Sequence, residues 1–465
     1  MRVAIKNGSI AILEYVKGIK GTVETMRIIT IPLAVLMCFC PGLAEAQEVE
    51  FFAFDALRGT LARDHQPRGV YHAGKHRRTY VAYMDHFFDA RVTYYDHDAR
   101  RWADPVRVDD CRTRDGHNAP AILVTKDGFL HLFYGCHGHP VKYARSTVPE
   151  ETAEWQIGAE IGSKATYTYG VQLNNGDLLL FYRFGGSGIH SPLRMHRSTD
   201  GGATWDDGRD IVDFQGDSWV KIRDTLYDPE QNRVHLALWE GNKKYWNAFY
   251  AAYDPDTGHV LAINGADLGD VATKEELAAN HSDVVGDNAR ADIDMVLHNG
   301  KPYLILVEPR KDRYYFAHWD GERVARTELP VNNLGGFELY AEGSGDRVVF
   351  KLFGLRANDP PTGYSGRDLM VWTSEDSGET WDQGRLLVDR RQLGHGLCGL
   401  NLTENYSGDG PLIITQEEWL ERSENLPRHR GSILDDAPFR FNKRLYALDA
   451  DYAFVTRDLT PGQGE

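Results

Sequence analysis

Apolar and polar positions alternate in short runs along most of this chain, and the runs pair around turn residues. Residues 121–124, AILV, meet Lys126-Asp127-Gly128, and a second run, FLHLFY from Phe129, follows. Two strand-like runs about such a turn predict a β-hairpin. The same reading gives seven hairpins in all, taken in chain order. The first is GVYHAGKHRRTYVAYM from Gly69, and the run just described is the second. The third is TYTYGVQLNNGDLLLFYR from Thr166, and the fourth WVKIRDTLYDPEQNRVHLALWE from Trp219. The fifth is DIDMVLHNGKPYLILVE from Asp292, and the sixth GFELYAEGSGDRVVFKLFG from Gly336. The seventh is GLCGLNLTENYSGDGPLIITQEEW from Gly396. Third strands echo each other in KYARS at Lys142 and RMHRS at Arg194. Only residues 268–282, LGDVATKEELAANHS, read as a helical insert.

Two eight-residue stretches, STDGGATW from Ser198 and SEDSGETW from Ser374, match the Asp-box pattern S-x-D-x-G-x-T-W. In such a box Asp and Gly shape a turn and Trp packs between sheets, so its residues are structural. The boxes start 176 residues apart, room for three repeats of nearly 59 residues. About seven such units fill residues 47–465. The fold class is therefore all-β, a seven-bladed β-propeller with Asp-box turns and four strands per blade. It forms one domain, and closing the ring protects the strand edges. An apolar share of 42%, 46 glycines and many aromatic residues suit short strands and tight turns. Residues 354–368 and 421–442 read as long surface loops.

Residues 1–46 are set apart as an N-terminal extension and signal peptide. MRIITIPLAVLMCFCPGLAEA from Met26 has a positive start, an apolar stretch and the small-x-small end Ala44-Glu45-Ala46. The expected location is secreted or periplasmic. Cys38 and Cys40 leave with the signal. Cys111, Cys136 and Cys398 remain, an odd number without metal-ligand spacing, and read as buried or free thiols. A formal net charge of −16 argues against nucleic-acid and anionic-membrane partners. An anionic substrate stays open, because a basic cleft can sit on an acidic protein. A monomer is expected.

Hairpin two carries His117 ten residues before Asp127 and His137 ten residues after it, so folding brings both to its open end. Hairpin three turns at Asn174-Asn175-Gly176 and places Tyr167 and Tyr169 on one leg and Arg183 on the other. Aligned hairpins gather His117, His137, Tyr167 and Arg183. No convincing carboxylate pair accompanies them. Such a group suits elimination at a uronic acid. An arginine can hold the carboxylate and stabilise the charge that develops as the C5 proton leaves. Histidine or tyrosine can move protons. Each residue also has a structural use: His117 as a loop bridge, His137 as a turn residue, Tyr167 as packing, Arg183 as a rim ion pair.

DGHNAPAILVTKDGFLHLFYGCH, TYTYGVQLNNGDLLLFYR and the Asp boxes resemble seven-bladed propeller polysaccharide lyases of the ulvan lyase type, within the Asp-box (BNR) repeat proteins. They also resemble propeller enzymes that act at rhamnose–glucuronate linkages. In those lyases two histidines about twenty residues apart precede a tyrosine, and an arginine follows that tyrosine by sixteen. Here His117 and His137 are twenty apart, and Tyr167 and Arg183 sixteen, which favours Tyr167 over Tyr169. The resemblance implies that His117 and Tyr167 form the acid/base pair, in either order, that Arg183 neutralises the carboxylate and that His137 assists. It implies a secreted lyase cutting a sulfated rhamnose–uronic acid polysaccharide by β-elimination.

Asn118, Tyr169 and Arg223 are weaker substrate-binding candidates. No cofactor is expected for the chemistry. A metal, calcium or zinc, would be structural, and His139 with His137 is weak evidence for one. The alternatives are an exo-acting rhamnose–glucuronate lyase or hydrolase on arabinogalactan-type glycans, with His65 as its added candidate, and a non-catalytic glycan-binding propeller. A sialidase is disfavoured, for want of an Arg-Ile-Pro signature and an arginine triad.

Overall fold

A computed structural model describes residues 2–6, 9–15, 26–32, 53–56, 69–85, 87–112, 116–186, 189–241, 246–285, 292–308, 312–345, 347–356, 367–389, 397–403, 413–418, 443–449 and 451–455. The chain divides into two compact units, Met1–Val49 and Glu50–Glu465. In the first, strands Arg2–Lys6, Ser9–Tyr15 and Met26–Pro32 form an antiparallel sheet. The proposed cleavage site, His65 and the loop 421–442 lie outside the described residues.

The second unit is all-β, and each of the seven hairpins is present as an antiparallel pair. Hairpin two pairs Ala121–Val124 with Leu130–Tyr134, and hairpin three pairs Ile161–Gln172 with Leu178–Phe184. Their turns close alike. Gly128 N–H donates to the Thr125 carbonyl at 2.8 Å and Gly176 N–H to the Leu173 carbonyl at 3.1 Å. Both glycines sit at positive φ, +86° and +91°, where a side chain is strained. The insert narrows to one helix, Lys274–Ala279, with Thr273 and Glu276 in a capping box.

The expectation of seven separate four-stranded blades needs correction. Five sheets are blade-sized, with four or five strands, and a sixth runs to nine. The reason lies in the third strand of hairpin two, His139–Ser146. It pairs with the first strand of hairpin three at His139↔Ala165 and Val141↔Ile161, so one ladder continues from hairpin two into hairpin three. The last sheet closes across the ends of the unit. Ala53–Ala56 pairs antiparallel with Lys443–Leu448, so early and late segments share one sheet and strand edges are protected. First strands of all seven hairpins contribute to the wall of a cavity of about 710 Å³, among them Tyr71, Leu123, Val171, Asp224, Met295, Leu339 and Leu402. This is a β-propeller arrangement.

The two Asp boxes fold identically. Ser198 Oγ donates to Asp200 and accepts from Gly202 N–H, while Thr204 bonds Asp200 through both its N–H and its hydroxyl. Ser374, Asp376, Gly378 and Thr380 repeat these four bonds. The Thr204 hydroxyl and N–H, the Ser198 hydroxyl and, more weakly, the Ala203 N–H hold the Asp200 carboxyl down at about 2. Each tryptophan packs on the strands that follow the preceding hairpin turn, Trp205 on Phe133 and Tyr143, Trp381 on Phe316. Cys111 and Cys136 are buried free thiols, as expected for this pair.

Candidate active site

Four of the expected residues meet at the open ends of hairpins two and three. His117 lies in a short 3-10 turn, Gly116–Asn118, and its ring stacks on His137 with centroids 4.7 Å apart. The Tyr167 ring lies 6.0 Å from His117 and 6.4 Å from His137. The Arg183 guanidinium carbon sits 4.7 Å from the Tyr167 ring centre.

Backbone geometry fixes these positions. The Asn118 carboxamide oxygen accepts the His137 N–H at 2.8 Å, and the Asn118 carbonyl accepts Gly135 N–H. One buried side chain thus ties the two legs of hairpin two where the histidines stand. Gly138, at φ +81°, donates to the Ala165 carbonyl and the Thr166 hydroxyl, which fastens the His137 loop to hairpin three. There the pairing register shifts between Thr166 and Tyr169, a β-bulge, and Tyr167 takes a positive φ of 63°. A tyrosine in the left-handed region is strained, and such strain gathers at functional sites. Bulges also re-aim side chains.

Access differs across the group. His117 is exposed and His137 partly so, whereas Tyr167 is 6% and Arg183 1% exposed. Arg183 is thus buried with its guanidinium against the Tyr167 ring. Lys221, from the first strand of hairpin four, adds a second cation 4.3 Å from the same ring. The sequence reading missed it. The available signal was a lysine between Val220 and Ile222 at the start of an apolar strand.

The weaker candidates divide. Asn118 is fully buried, and its amide oxygen accepts the His137 N–H. Tyr169 is 1% exposed and its hydroxyl donates to the Ile222 carbonyl at 3.0 Å, which makes it a tie between hairpins. In both residues a polar atom is engaged inside the protein. Arg223 forms a bidentate pair with Asp292 at 2.8 and 2.9 Å and lines the central cavity. His139 is exposed on its strand. Among the described residues no group of three or more His, Cys, Asp or Glu is placed to hold a metal ion. The cavity and the cluster are not the same place. The cavity reaches the hairpin turns at Thr125 and Pro229, and its wall at Gly170 is three strand residues, about 10 Å, from Tyr167.

Fold and site together define a β-propeller with Asp-box turns and an imidazole–phenol–guanidinium cluster at one end of two adjoining hairpins. Comparison with known proteins agrees. Residues 78–277 match the BNR repeat-containing family. The chain is 24% identical over 426 residues to an ulvan lyase of Nonlabens ulvanivorans, covering 80% of this chain and 87% of that protein. It is 29% identical over 443 residues to an ulvan lyase of Alteromonas sp. (strain LOR), covering 81% and 86%. Among solved structures, a PL25 polysaccharide lyase, an ulvan lyase bound to a GlcA(1-4)Rha3S segment, superposes with a TM-score of 0.66. Its sequence is 16% identical, and the match covers 88% of this chain and 98% of that one. Among the described residues no helix is long and apolar enough to cross a membrane.

Proposed function

We propose that this protein is a secreted polysaccharide lyase that cuts ulvan-type chains of sulfated rhamnose and uronic acid by β-elimination. The observation that carries the reading is the packing of His117, His137 and Tyr167 within 6.4 Å of one another, backed by two cations. The similarity to ulvan lyases over four fifths of the chain supports the substrate class.

The reaction needs a base for the C5 proton, positive charge near the uronate carboxylate and an acid for the leaving oxygen. As the C5–H bond breaks, its electron pair moves onto the carboxylate, and it forms the C4–C5 double bond as the C4–O4 bond breaks and the departing oxygen takes a proton. His117 and Tyr167 carry the two proton transfers, each worth about 10²–10⁴-fold. His137 faces the carboxylate, and Arg183 and Lys221 supply positive field from behind Tyr167. Such preorganised charge costs no rearrangement during the reaction.

The test is incubation with ulvan while following the ultraviolet absorbance of the 4,5-unsaturated uronate end. Absorbance that rises with cleavage is expected. Chain shortening without that absorbance would point to hydrolysis and overturn the lyase reading.

A further inference from the structure

One Asp box covers a buried histidine–tyrosine pair, and a second such pair in the chain has no box over it. In hairpin two, His131 Nδ1 and the Tyr143 hydroxyl meet at 2.7 Å, and the tyrosine stands opposite Phe133 in the register. The Asp box that follows hairpin three closes over them. Trp205 lies 5.8 Å from both Phe133 and Tyr143, and Gly202 sits so close to the Tyr143 hydroxyl that a Cβ has no room. Hairpin four repeats the pair at the same offset. His235 Nδ1 meets the Tyr250 hydroxyl at 2.6 Å, and Tyr250 stands opposite Ala237.

The following sheet has no box to close over it. Ten residues, 199–208, separate the third strand Leu193–Ser198 from the outer strand Arg209–Asp213. Ten more, 375–384, do so after Asp368–Ser374. Between Arg313–Trp319 and Val324–Glu328 only four residues, 320–323, remain. The connection is six residues shorter, and alanine replaces the phenylalanine. A groove of about 560 Å³ opens there, with His235 and Tyr250 on its floor. His235 is 2% exposed, and among the described residues its Nε2 has no hydrogen-bond partner. Half-buried Trp319 and Tyr303 form the sides, and Arg233 and Lys301 add two cations. The carboxylate there, Asp320, is occupied by the Glu322 and Arg323 N–H groups and by the Arg323 guanidinium.

We propose that this groove is a second carbohydrate-binding site, which holds an anionic sugar of the polymer away from the cleavage site. Its volume falls within the roughly 300–1,000 Å³ of ligand pockets. Trp319 and Tyr303 offer flat apolar faces for the C–H face of a pyranose. Arg233 and Lys301 take a sulfate or carboxylate, on a chain whose overall net charge is −16. The His235 Nε2 position suits a sugar hydroxyl. The groove lies at the turn end of hairpins four and five, whereas the His117 cluster lies at the open end of hairpins two and three. The groove geometry stands alone, but the choice of an anionic sugar rests on the lyase reading.

The experiment compares wild type, Trp319→Ala and Lys301→Glu. It measures retention in gels containing ulvan, and turnover of a short ulvan oligosaccharide. Lys301 is the exposed first residue of its strand, so Lys301→Glu keeps the test sound if Trp319→Ala fails to fold. Each folded variant should bind the polymer about three- to tenfold more weakly, the size of one aromatic or charge contact, while the loss on the short substrate stays below twofold. Desulfated ulvan separates the two anions: loss of the Lys301 effect assigns the sulfate, and its survival the carboxylate. Cleavage with unaltered polymer retention in both folded variants overturns the groove and leaves the lyase. Retention without cleavage that the variants weaken supports the groove and overturns the lyase. A protein that neither binds nor cleaves uronate polymers overturns both.

Discussion

Arg183 separates two ways of stabilising charge, and two substitutions tell them apart. Arg183→Met keeps most of the side-chain volume and removes the cation. Arg183→Lys keeps the cation and removes the planar fork. The guanidinium lies 4.7 Å from the Tyr167 ring centre and is 1% exposed. Charge developing at the phenol or on the bound uronate is then roughly 6 Å away, where at an effective dielectric of about 20 one cation contributes about 3 kcal/mol. That corresponds to about 10²-fold in rate. Arg183→Met should therefore lower kcat by about 10²-fold with little change in KM. Arg183→Lys should recover most of the rate, because a field needs charge and not a fork. A direct bidentate clamp makes the opposite forecast, since an ammonium cannot reproduce two parallel hydrogen bonds. The assay is the initial rise of unsaturated-product absorbance across substrate concentrations, with melting temperature to certify folding. A folded Arg183→Lys protein as slow as Arg183→Met would refute the field argument. A folded Arg183→Met protein at wild-type speed would remove Arg183 from the chemistry.

Three other outcomes are expected. Tyr167→Phe should lose about 10²–10⁴-fold in kcat while melting normally, because the ring that Arg183 and Lys221 both approach is kept; full activity in the folded variant would exclude the phenol from proton transfer. Burial lowers His131 to about 3 and His235 to about 4, from 6.5 when unfolded, so below pH 6.5 the unfolded chain binds more protons. Stability is thus present in full above pH 6.5 and falls by up to about 1.4 kcal/mol per pH unit per site toward pH 4. Melting curves of His131→Gln should show a shallower acid slope, and an identical slope would count against the histidine. Asp200→Ala removes the acceptor of three box hydrogen bonds and should lower the melting temperature while leaving kcat per folded molecule intact, measured by calorimetry and rate assay.

Local chemistry was well written in the chain. Lys126-Asp127-Gly128 and Asn174-Asn175-Gly176 announced turns because glycine is needed at positive φ, and the turns formed there. The Asp boxes announced their own hydrogen bonds. Contacts between hairpins were less legible. Nothing in His139–Ser146 told that the strand would pair onward with hairpin three and merge two sheets. Lys221 reached Tyr167 from hairpin four, a contact that periodicity within one hairpin does not encode. Burial was also hidden. Arg183 shares a face with Leu179 and Phe181 by alternation, but only packing put it behind Tyr167 at 1% exposure.

The pair Tyr167 and Tyr169 shows how a small backbone event decides a site. In a regular strand, residues two apart point to the same side, so both phenols qualify for one role. The bulge between Thr166 and Tyr169 breaks that equivalence. Past the bulge, Tyr169 resumes regular pairing opposite Phe181, and its hydroxyl is taken by the Ile222 carbonyl. Within the bulge, Tyr167 leaves the ladder, adopts a φ of 63° and meets His117, His137, Arg183 and Lys221. The strained residue is held from two sides, by the Gly138 bonds to Ala165 and Thr166 and by hairpin four. One extra residue in the ladder therefore turns two similar tyrosines into a structural tie and a candidate proton carrier.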